Sequence, residues 1–158
     1  MSRVQLALDV SNIEEAVAFY SKLFGTGPAK VRPGYANFAI DEPPLKLVLL
    51  ENPGHGGGLN HLGIEVPDIG TVDAEQARLA EAGLASADER DTTCCYARQD
   101  KFWVQGAPDG RSWEIYTVLA DSQTFYGEEP GSAACCGTDA DADAGPSAGV
   151  AASAAKCC

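Results

Sequence analysis

The stretch Gln5–Val10 (QLALDV) decides the fold, because it recurs 56 residues later as His61–Val66 (HLGIEV). In the first copy, Leu6, Leu8 and Val10 alternate with other residue types, which predicts a strand with one face on a core and one face open. A pattern that restarts within one chain indicates an internal repeat rather than two unrelated halves. We therefore expect two copies of one small module.

Helix signals follow both copies of the stretch. Ser11 or Asn12 is suited to cap a first helix, which Gly25 ends. Asp68 is suited to cap a second helix, which closes at Gly83. Short apolar runs bounded by Pro and Gly predict further strands after each helix. These strands are expected at residues 28–32, 35–41, 45–51, 85–90, 95–98 continuing into 101–105, and 111–119.

The predicted fold class is α+β, with two βαβββ modules. The first module covers residues 1–51, a glycine-rich joint covers 52–59, and the second module covers 60–119. Residues 120–158 are dominated by Ala, Gly, Asp, Ser and Cys and show no helical or strand period. Such a composition predicts a disordered tail.

Composition excludes several function classes. The net charge of −12 leaves no basic stripe for phosphates, so we expect no nucleic-acid partner. The sequence has no run of about 18 apolar residues, so no membrane partner is expected. The first residues begin directly on a strand pattern without a signal-peptide core, which makes a cytoplasmic location the default expectation.

Three polar residues lie where the repeat predicts the open face of the sheet. Gln5 and His61 occupy matched positions, and Glu114 lies in a last strand otherwise rich in aromatic and β-branched residues. A carboxylate buried in such a strand needs a partner, and a metal shared with Gln5 and His61 provides one. An amide oxygen, an imidazole and a carboxylate leave coordination positions open, as in the facial triad of non-haem Fe(II) sites. The three ligands alone leave the identity of the metal open.

All six cysteines occur as adjacent pairs. Neighbouring Cα atoms lie about 3.8 Å apart, less than the roughly 4.4–6.8 Å of a relaxed disulfide. Thiolates prefer soft partners, so each pair is suited to hold one soft ion or metalloid. The flanks of Cys94 and Cys95 are polar, which predicts that this pair lies on an exposed loop. The other two pairs, Cys135/Cys136 and Cys157/Cys158, fall in the predicted tail.

Other residues near the Cys94/Cys95 pair are candidates for supporting roles. Lys101 flanks the pair, and a nearby positive charge favours the thiolate form. Tyr96, Trp103 and Tyr116 are candidates for the wall of an apolar pocket. The segment 90–101 is a candidate lid that closes on a substrate.

The paired modules, the set Gln5/His61/Glu114 and the closing stretch PDGRSWE (residues 108–114) together resemble the vicinal oxygen chelate superfamily. This superfamily includes glyoxalases, bleomycin resistance proteins and extradiol dioxygenases. Within it, TCCYA (residues 93–97) followed by KFWV (residues 101–104) resembles the ArsI-type C–As lyases, a family that also takes in cadmium-induced CadI proteins. The resemblance covers about residues 1–126 and leaves the tail outside.

The resemblance implies an Fe(II)-dependent dioxygenase that uses dioxygen as co-substrate. Its substrates would be small trivalent organoarsenicals such as methylarsenite and aromatic arsenicals, and it would release arsenite in arsenic detoxification. By the same resemblance, Cys94 and Cys95 hold the arsenic, while Gln5, His61 and Glu114 hold the iron. The tail cysteines would then collect or pass on the product. The family leaves open a monomer or a homodimer, and a site within one chain or between two.

Three other functions compete with this one. Glyoxalase I would generally take a further carboxylate from the fourth strand of the first module, and residues 45–49 contain none at the matching register. An extradiol dioxygenase would usually have two histidines and a glutamate, whereas Gln5 stands in place of the first histidine. The third is non-catalytic: a thiol protein that sequesters cadmium or arsenite through its three cysteine pairs.

Overall fold

The computed structural model describes residues 1–84 and 86–127. The predicted start of the disordered tail at residue 120 is wrong: the last strand runs to Asp121, and Phe125 packs against Tyr35 and Tyr96. The rest of the tail prediction, from residue 128 onward with its four cysteines, lies outside the described residues. No helix in the described part is long and apolar enough to cross a membrane. The elements, in chain order, are β1 (Arg3–Val10), α1 (Ile13–Phe24), β2 (Lys30–Arg32), β3 (Tyr35–Ile40), β4 (Leu45–Glu51), β5 (Leu59–Glu65), α2 (Ile69–Glu81), β6 (Ser86–Cys94), β7 (Ala97–Val104) and β8 (Trp113–Asp121).

One mixed sheet carries both modules, with the strand order β2-β3-β4-β1-β5-β8-β7-β6. Strand β1 pairs in parallel with β4, and its repeat counterpart β5 pairs in parallel with β8. The two halves join where β1 pairs antiparallel with β5. This arrangement confirms the predicted α+β fold of two βαβββ modules, here named module one (β1–β4 with α1) and module two (β5–β8 with α2).

Each helix covers one face of its own module's strands and encloses an apolar core there. In module one, Phe38 and Leu49 are fully buried beneath α1, where Leu6 and Leu8 of β1 also pack. In module two, α2 contributes the fully buried Val72 to a core that includes Ile115. Each fully buried apolar side chain of this size contributes about 1.5–3 kcal/mol. The opposite face of the sheet, here called the polar face, carries buried polar side chains together with a smaller apolar cluster that includes Tyr35 and Val48.

The helix ends follow the sequence signals. The Asn12 side chain accepts a hydrogen bond from the Glu15 backbone N–H, and Asp68 accepts one from the Thr71 backbone N–H. Gly25 ends α1 in the left-handed conformation, with a φ of 66°. Both caps and this stop were predicted from residue type and spacing, because they depend only on local chemistry.

The expectation of an exposed loop around Cys94 and Cys95 is wrong. Strand β6 continues to Cys94 and β7 begins at Ala97, so residues 90–101 form a paired hairpin with a two-residue turn rather than a lid loop. Cys95 and Tyr96 both have positive φ, 57° and 61°. That is the backbone of a type I′ turn, which normally takes Asn-Gly. The flanks are polar because β6 is an edge strand with a largely exposed face.

Candidate metal centre and thiol pair

Gln5, His61 and Glu114 meet on the polar face of the sheet. Each is 4% exposed. The Gln5 Nε2 atom lies 2.9 Å from His61 Nε2 and donates a short hydrogen bond to Glu114 Oε1. His61 Nε2 and Glu114 Oε1 lie 3.2 Å apart. The three side chains that the sequence selected therefore converge on one buried point from three central strands.

Hydrogen bonds on the side away from Gln5 and Glu114 orient the His61 ring. Its Nδ1 atom lies 2.8 Å from Asn60 Oδ1, an oxygen that only accepts, so Nδ1 carries a proton and donates. Asn60 in turn donates to Asp9 Oδ1 at 3.1 Å. In the neutral ring, Nε2 then has a lone pair that can accept a hydrogen bond from Gln5 Nε2. Such a chain of outer groups is the usual support of a metal-binding histidine.

Gln5 is held on its other side by Tyr116. The Tyr116 hydroxyl donates a short hydrogen bond to Gln5 Oε1. Burial, followed by the negative charge of Glu114, raises the pKa of Tyr116, so the hydroxyl keeps its proton. Gly63 lets these strands approach, because a Cβ atom there would lie 2.8 Å from Glu114 Cγ and 3.4 Å from Gln5 Cβ. A larger residue at position 63 would push the two candidate ligands apart.

Glu114 is charged although it is buried. Burial alone would raise its pKa, but Lys101 and then His61 and Gln5 outweigh burial and lower the pKa of Glu114 to about 2. Lys101 Nζ lies 3.5 Å from Glu114 Oε2 and 3.4 Å from Glu89 Oε2. Lys101 is 1% exposed, so its charge is screened little by solvent. A permanent carboxylate is therefore available to a cation at this point.

Cys94 and Cys95, which form a thiol pair in the reduced protein, lie at the hairpin tip, and contacts from module one and from the residue after β8 hold this tip in place. The Cys94 and Cys95 sulfurs are 3.1 Å apart, beyond the roughly 2.05 Å of a disulfide between them. The carbonyl oxygen of Tyr96 accepts hydrogen bonds from Lys30 Nζ at 3.0 Å and from the Ser122 backbone N–H at 2.9 Å. The Tyr96 ring packs against Tyr35, with 5.5 Å between centroids. These contacts hold both sulfurs at one end of the sheet's polar face.

A cavity of about 290 Å³ joins the two groups. It is lined by the three candidate metal ligands, by both cysteines and by Lys101, all of which the sequence selected. Sequence reasoning missed several other lining residues, because only tertiary pairing brings them here. Among these are Lys30, Tyr35, Asn37, Lys46, Val48 and Gln99.

The aromatic residues expected to wall the cavity lie behind its lining. Tyr116 holds Gln5, as described above. Trp103 is edge-on to the His61 ring, with 5.6 Å between centroids, and packs against Cys94. Tyr96 packs on Tyr35, and it is Tyr35 that reaches the cavity. Cys135, Cys136, Cys157 and Cys158 lie outside the described residues, so their expected role with the product stays a prediction.

The glyoxalase/bleomycin resistance protein/dioxygenase superfamily matches residues 3–115 of the chain. The chain belongs to this superfamily. The match spans module one, module two as far as the start of β8, and every residue of the candidate metal centre.

Relatives with high identity carry two different names. The cadmium-induced protein CadI of Mycobacterium tuberculosis is 67% identical over 125 residues, which are 79% of this chain and 82% of CadI. A trivalent organoarsenical cleaving enzyme of Thermomonospora curvata is 54% identical over 159 aligned positions, covering 100% of both chains. A trivalent organoarsenical cleaving enzyme of Bacillus sp. is 43% identical and covers 78% of this chain and 80% of the relative.

Solved structures share the superfamily fold at low sequence identity. A Mn(II)-bound glyoxalase from Novosphingobium aromaticivorans aligns with a TM-score of 0.54 and 22% identity, covering 77% of this chain and 42% of that one. An extradiol ring-cleaving dioxygenase from B. fuscum aligns with a TM-score of 0.55 and 19% identity, covering 77% and 34%. These likenesses support the fold and carry no residue roles.

The donor set fits a divalent metal of the kind superfamily members bind. Glu114 offers a charged oxygen, His61 a nitrogen lone pair, and Gln5 an amide whose rotation exchanges its oxygen and nitrogen. Within residues 1–84 and 86–127, no three His, Cys, Asp or Glu side chains gather as a metal site. In the candidate centre, the Gln5 amide is the third potential donor beside Glu114 and His61. This mixed set suits iron, manganese or zinc better than a soft ion.

The residue of module one that is equivalent to Glu114 is apolar. In module two, Gly63 of β5 pairs with Glu114 of β8; in module one, the repeat-equivalent Ala7 of β1 pairs with Val48 of β4. Val48 thus occupies the position in module one that corresponds to Glu114 in module two. It is 4% exposed and lines the cavity. The absence of a fourth ligand stays a prediction; the register shows that Val48 is the module-one residue equivalent to Glu114.

Proposed function

We propose that this protein is an Fe(II)-dependent enzyme that cleaves the carbon–arsenic bond of small trivalent organoarsenicals. The observation that carries the proposal is the single cavity lined by both the thiol pair and the Gln5/His61/Glu114 centre. The names of the relatives from Thermomonospora curvata and Bacillus sp. support the same substrate class. Dioxygen is the proposed co-substrate and arsenite the proposed arsenic product.

Cys94 and Cys95 are the proposed anchor for arsenic. A trivalent arsenical with one organic group, R–As(OH)2, has two exchangeable hydroxyls. Two thiols displace both as water, forming R–As(S-Cys)2 and leaving the carbon–arsenic bond intact. The organic group is then held inside a cavity whose other wall is the metal centre. Holding both partners in one site turns a bimolecular encounter into a positioned one, which is a large source of rate enhancement.

Gln5, His61 and Glu114 are the proposed iron ligands. Fe(II) held there would supply open coordination positions and the redox chemistry that dioxygen requires. The chain's own contribution is to position these donors: Asn60 orients His61, Lys101 keeps Glu114 charged, and Tyr116 contacts the Gln5 amide, which would rotate to turn its oxygen towards a metal. The cavity lies near the small end of ligand pockets, about 300 Å³, which favours a methyl or single-ring substituent over a larger one.

The test is anaerobic loading of the reduced protein with Fe(II), followed by methylarsenite and then air. Arsenic species are separated by chromatography. We expect inorganic arsenite only when iron and oxygen are both present. Methylarsenite that is bound and then recovered unchanged would contradict the proposal.

A non-catalytic sequestering function is the second candidate, favoured by the 67% identity to a protein named for cadmium induction. The double variant Cys94→Ser/Cys95→Ser separates the two. An enzyme loses turnover yet keeps one high-affinity iron per chain, because Gln5, His61 and Glu114 are unchanged. A purely sequestering protein has no such iron site in either form. Iron content after desalting, measured beside turnover, decides between them.

A further inference from the structure

Gln99 presents an unused hydrogen-bond acceptor beside the thiol pair. It is 6% exposed, lies on β7 and lines the same cavity as both cysteines. Its Nε2 atom donates to the Cys94 carbonyl oxygen at 3.2 Å. Its Oε1 atom is buried and has no hydrogen-bond partner among the described residues. Buried acceptors are rarely left unpaired, because desolvation without a bond costs free energy.

The hairpin register places this acceptor on the same side as the sulfur of Cys94. Cys94 pairs with Ala97, and Gln99 pairs with Thr92. Cross-strand partners share a face, and residues two apart on a strand also share one. Gln99, Ala97 and Cys94 therefore all face the cavity, with the fixed amide of Gln99 between the hairpin tip and Lys101.

Of the two arsenic species that would bind the thiol pair, the organoarsenical and inorganic arsenite, only arsenite keeps a hydroxyl on arsenic. The organoarsenical is held as R–As(S-Cys)2, in which no hydroxyl remains. Inorganic arsenite, As(OH)3, reacts with the two thiols to give HO–As(S-Cys)2 and two waters, so one As–OH is kept. That hydroxyl is a donor, and it occupies the position on arsenic that the organic group held before.

We propose that Gln99 Oε1 accepts a hydrogen bond from this As–OH group, so that Gln99 is a positioning residue selective for the hydroxylated arsenic. The inference rests on the proposed function, because it takes Cys94 and Cys95 as the arsenic anchor. Gln99 is satisfied when arsenite is bound and unsatisfied when the organoarsenical is bound. The site thereby favours the product form of arsenic over the substrate form.

Isothermal titration of metal-free protein tests this selectivity without turnover. The full chain is used in reduced form, with Cys135, Cys136, Cys157 and Cys158 replaced by serine so that only one thiol pair reports. The ligands are sodium arsenite, which has the hydroxyl when bound, and phenylarsine oxide, which does not. Gln99→Met keeps the size of the side chain and removes the acceptor. Thr92→Val is the matched control, an isosteric change at the residue that pairs with Gln99.

We expect Gln99→Met to weaken arsenite binding by roughly 5- to 10-fold, the usual effect of losing one hydrogen bond, and to leave phenylarsine oxide binding within about twofold. Thr92→Val should leave both affinities unchanged. Equal weakening of both ligands would overturn the inference, since Gln99 would then only shape the thiol pair. Unchanged arsenite affinity would also overturn it. A parent protein that binds neither ligand would sink the proposed function itself, a different failure from either of these.

Discussion

Modules one and two share topology and register but contribute very differently to the site. Module two supplies His61, Glu114 and both cysteines, whereas module one supplies Gln5 and, at the position equivalent to Glu114, the apolar Val48. The repeat thus sets the positions of the candidate ligands, and the two modules fill those positions unequally. The asymmetry leaves three donors instead of four, which fits chemistry that needs open metal positions.

The hairpins of the two modules differ in the same way. The β2–β3 hairpin turns through Pro33 and Gly34, and Gly34 takes a φ of 67° that glycine adopts without strain. The β6–β7 hairpin turns through Cys95 and Tyr96, which take a φ of 57° and 61°. Residues with a Cβ atom adopt this conformation at a cost of about 1–2 kcal/mol each. The strained turn is the one that presents a thiol, as expected where function sets the backbone.

Removing the carboxylate of Glu114, which has no counterpart in module one, should have the largest effect on Fe(II) binding and turnover. Glu114→Gln keeps the shape of the side chain but loses the carboxylate, so we expect Fe(II) affinity to fall about 100-fold or more and turnover to be lost. Competition with a chromophoric chelator measures the affinity. Glu65→Gln is the matched control, because Glu65 lines the same cavity but pairs with Arg3 and Lys46. Iron binding by Glu114→Gln equal to that of the parent would remove Glu114 from the metal centre.

Giving module one a carboxylate at the position equivalent to Glu114 should have the next largest effect, on stability and on metal binding. Val48→Glu places a second carboxylate in the cavity that Glu114 also lines, where burial without a partner destabilises the metal-free protein by roughly 2 kcal/mol. A bound divalent metal neutralises the added charge, so the rise in melting temperature on adding Mn(II) should exceed that of the parent. Val48→Gln is the uncharged control and should show a smaller rise. A rise no larger in Val48→Glu than in Val48→Gln would show that position 48 does not face the metal.

Much of the fold and of the candidate metal centre was predictable from sequence, because both follow from the repeat. Matching Gln5 to His61 placed both on the open face, and strand alternation placed Glu114 beside them. The local caps at Asn12 and Asp68 were equally readable. The β6–β7 hairpin was not predictable from sequence, because its polar residues belong to an edge strand and its turn lacks glycine. Gln99 and Val48 were missed as cavity residues, since only strand pairing brings them to the site.

The turn comparison gives a smaller effect on stability. Asparagine tolerates a left-handed backbone better than serine does. We therefore expect the free energy of unfolding of Cys95→Asn to exceed that of Cys95→Ser by about 1 kcal/mol. Both variants lack the thiol, so the difference reports the backbone alone. Denaturant unfolding under reducing conditions measures it. Equal stability of the two variants would mean that the φ of 57° at position 95 stores no strain.

The helix caps should give the smallest effect, visible only as a pH dependence. Hydrogen bonds from the Thr71 backbone and side chain lower the pKa of Asp68 below its ordinary value of 3.8. A lowered folded-state pKa adds stability above the unfolded value, and this is lost as the pH falls through the folded one. The neutral cap Asn12 has no such dependence.

We therefore expect Asp68→Asn to melt close to the parent at about pH 7, because Asn and Asp cap helices about equally well. As the pH falls below about 4, the parent should lose melting temperature faster than Asp68→Asn, since only the parent must protonate a capping carboxylate at this site. The reciprocal variant Asn12→Asp should gain the acid sensitivity that Asp68→Asn loses. Its gain should be the smaller of the two, because Glu14 and Glu15 already place negative charge in the first turn of α1. Parallel melting curves for parent and Asp68→Asn down to about pH 3 would show that the Thr71 hydrogen bonds stabilise the neutral acid as well as the carboxylate.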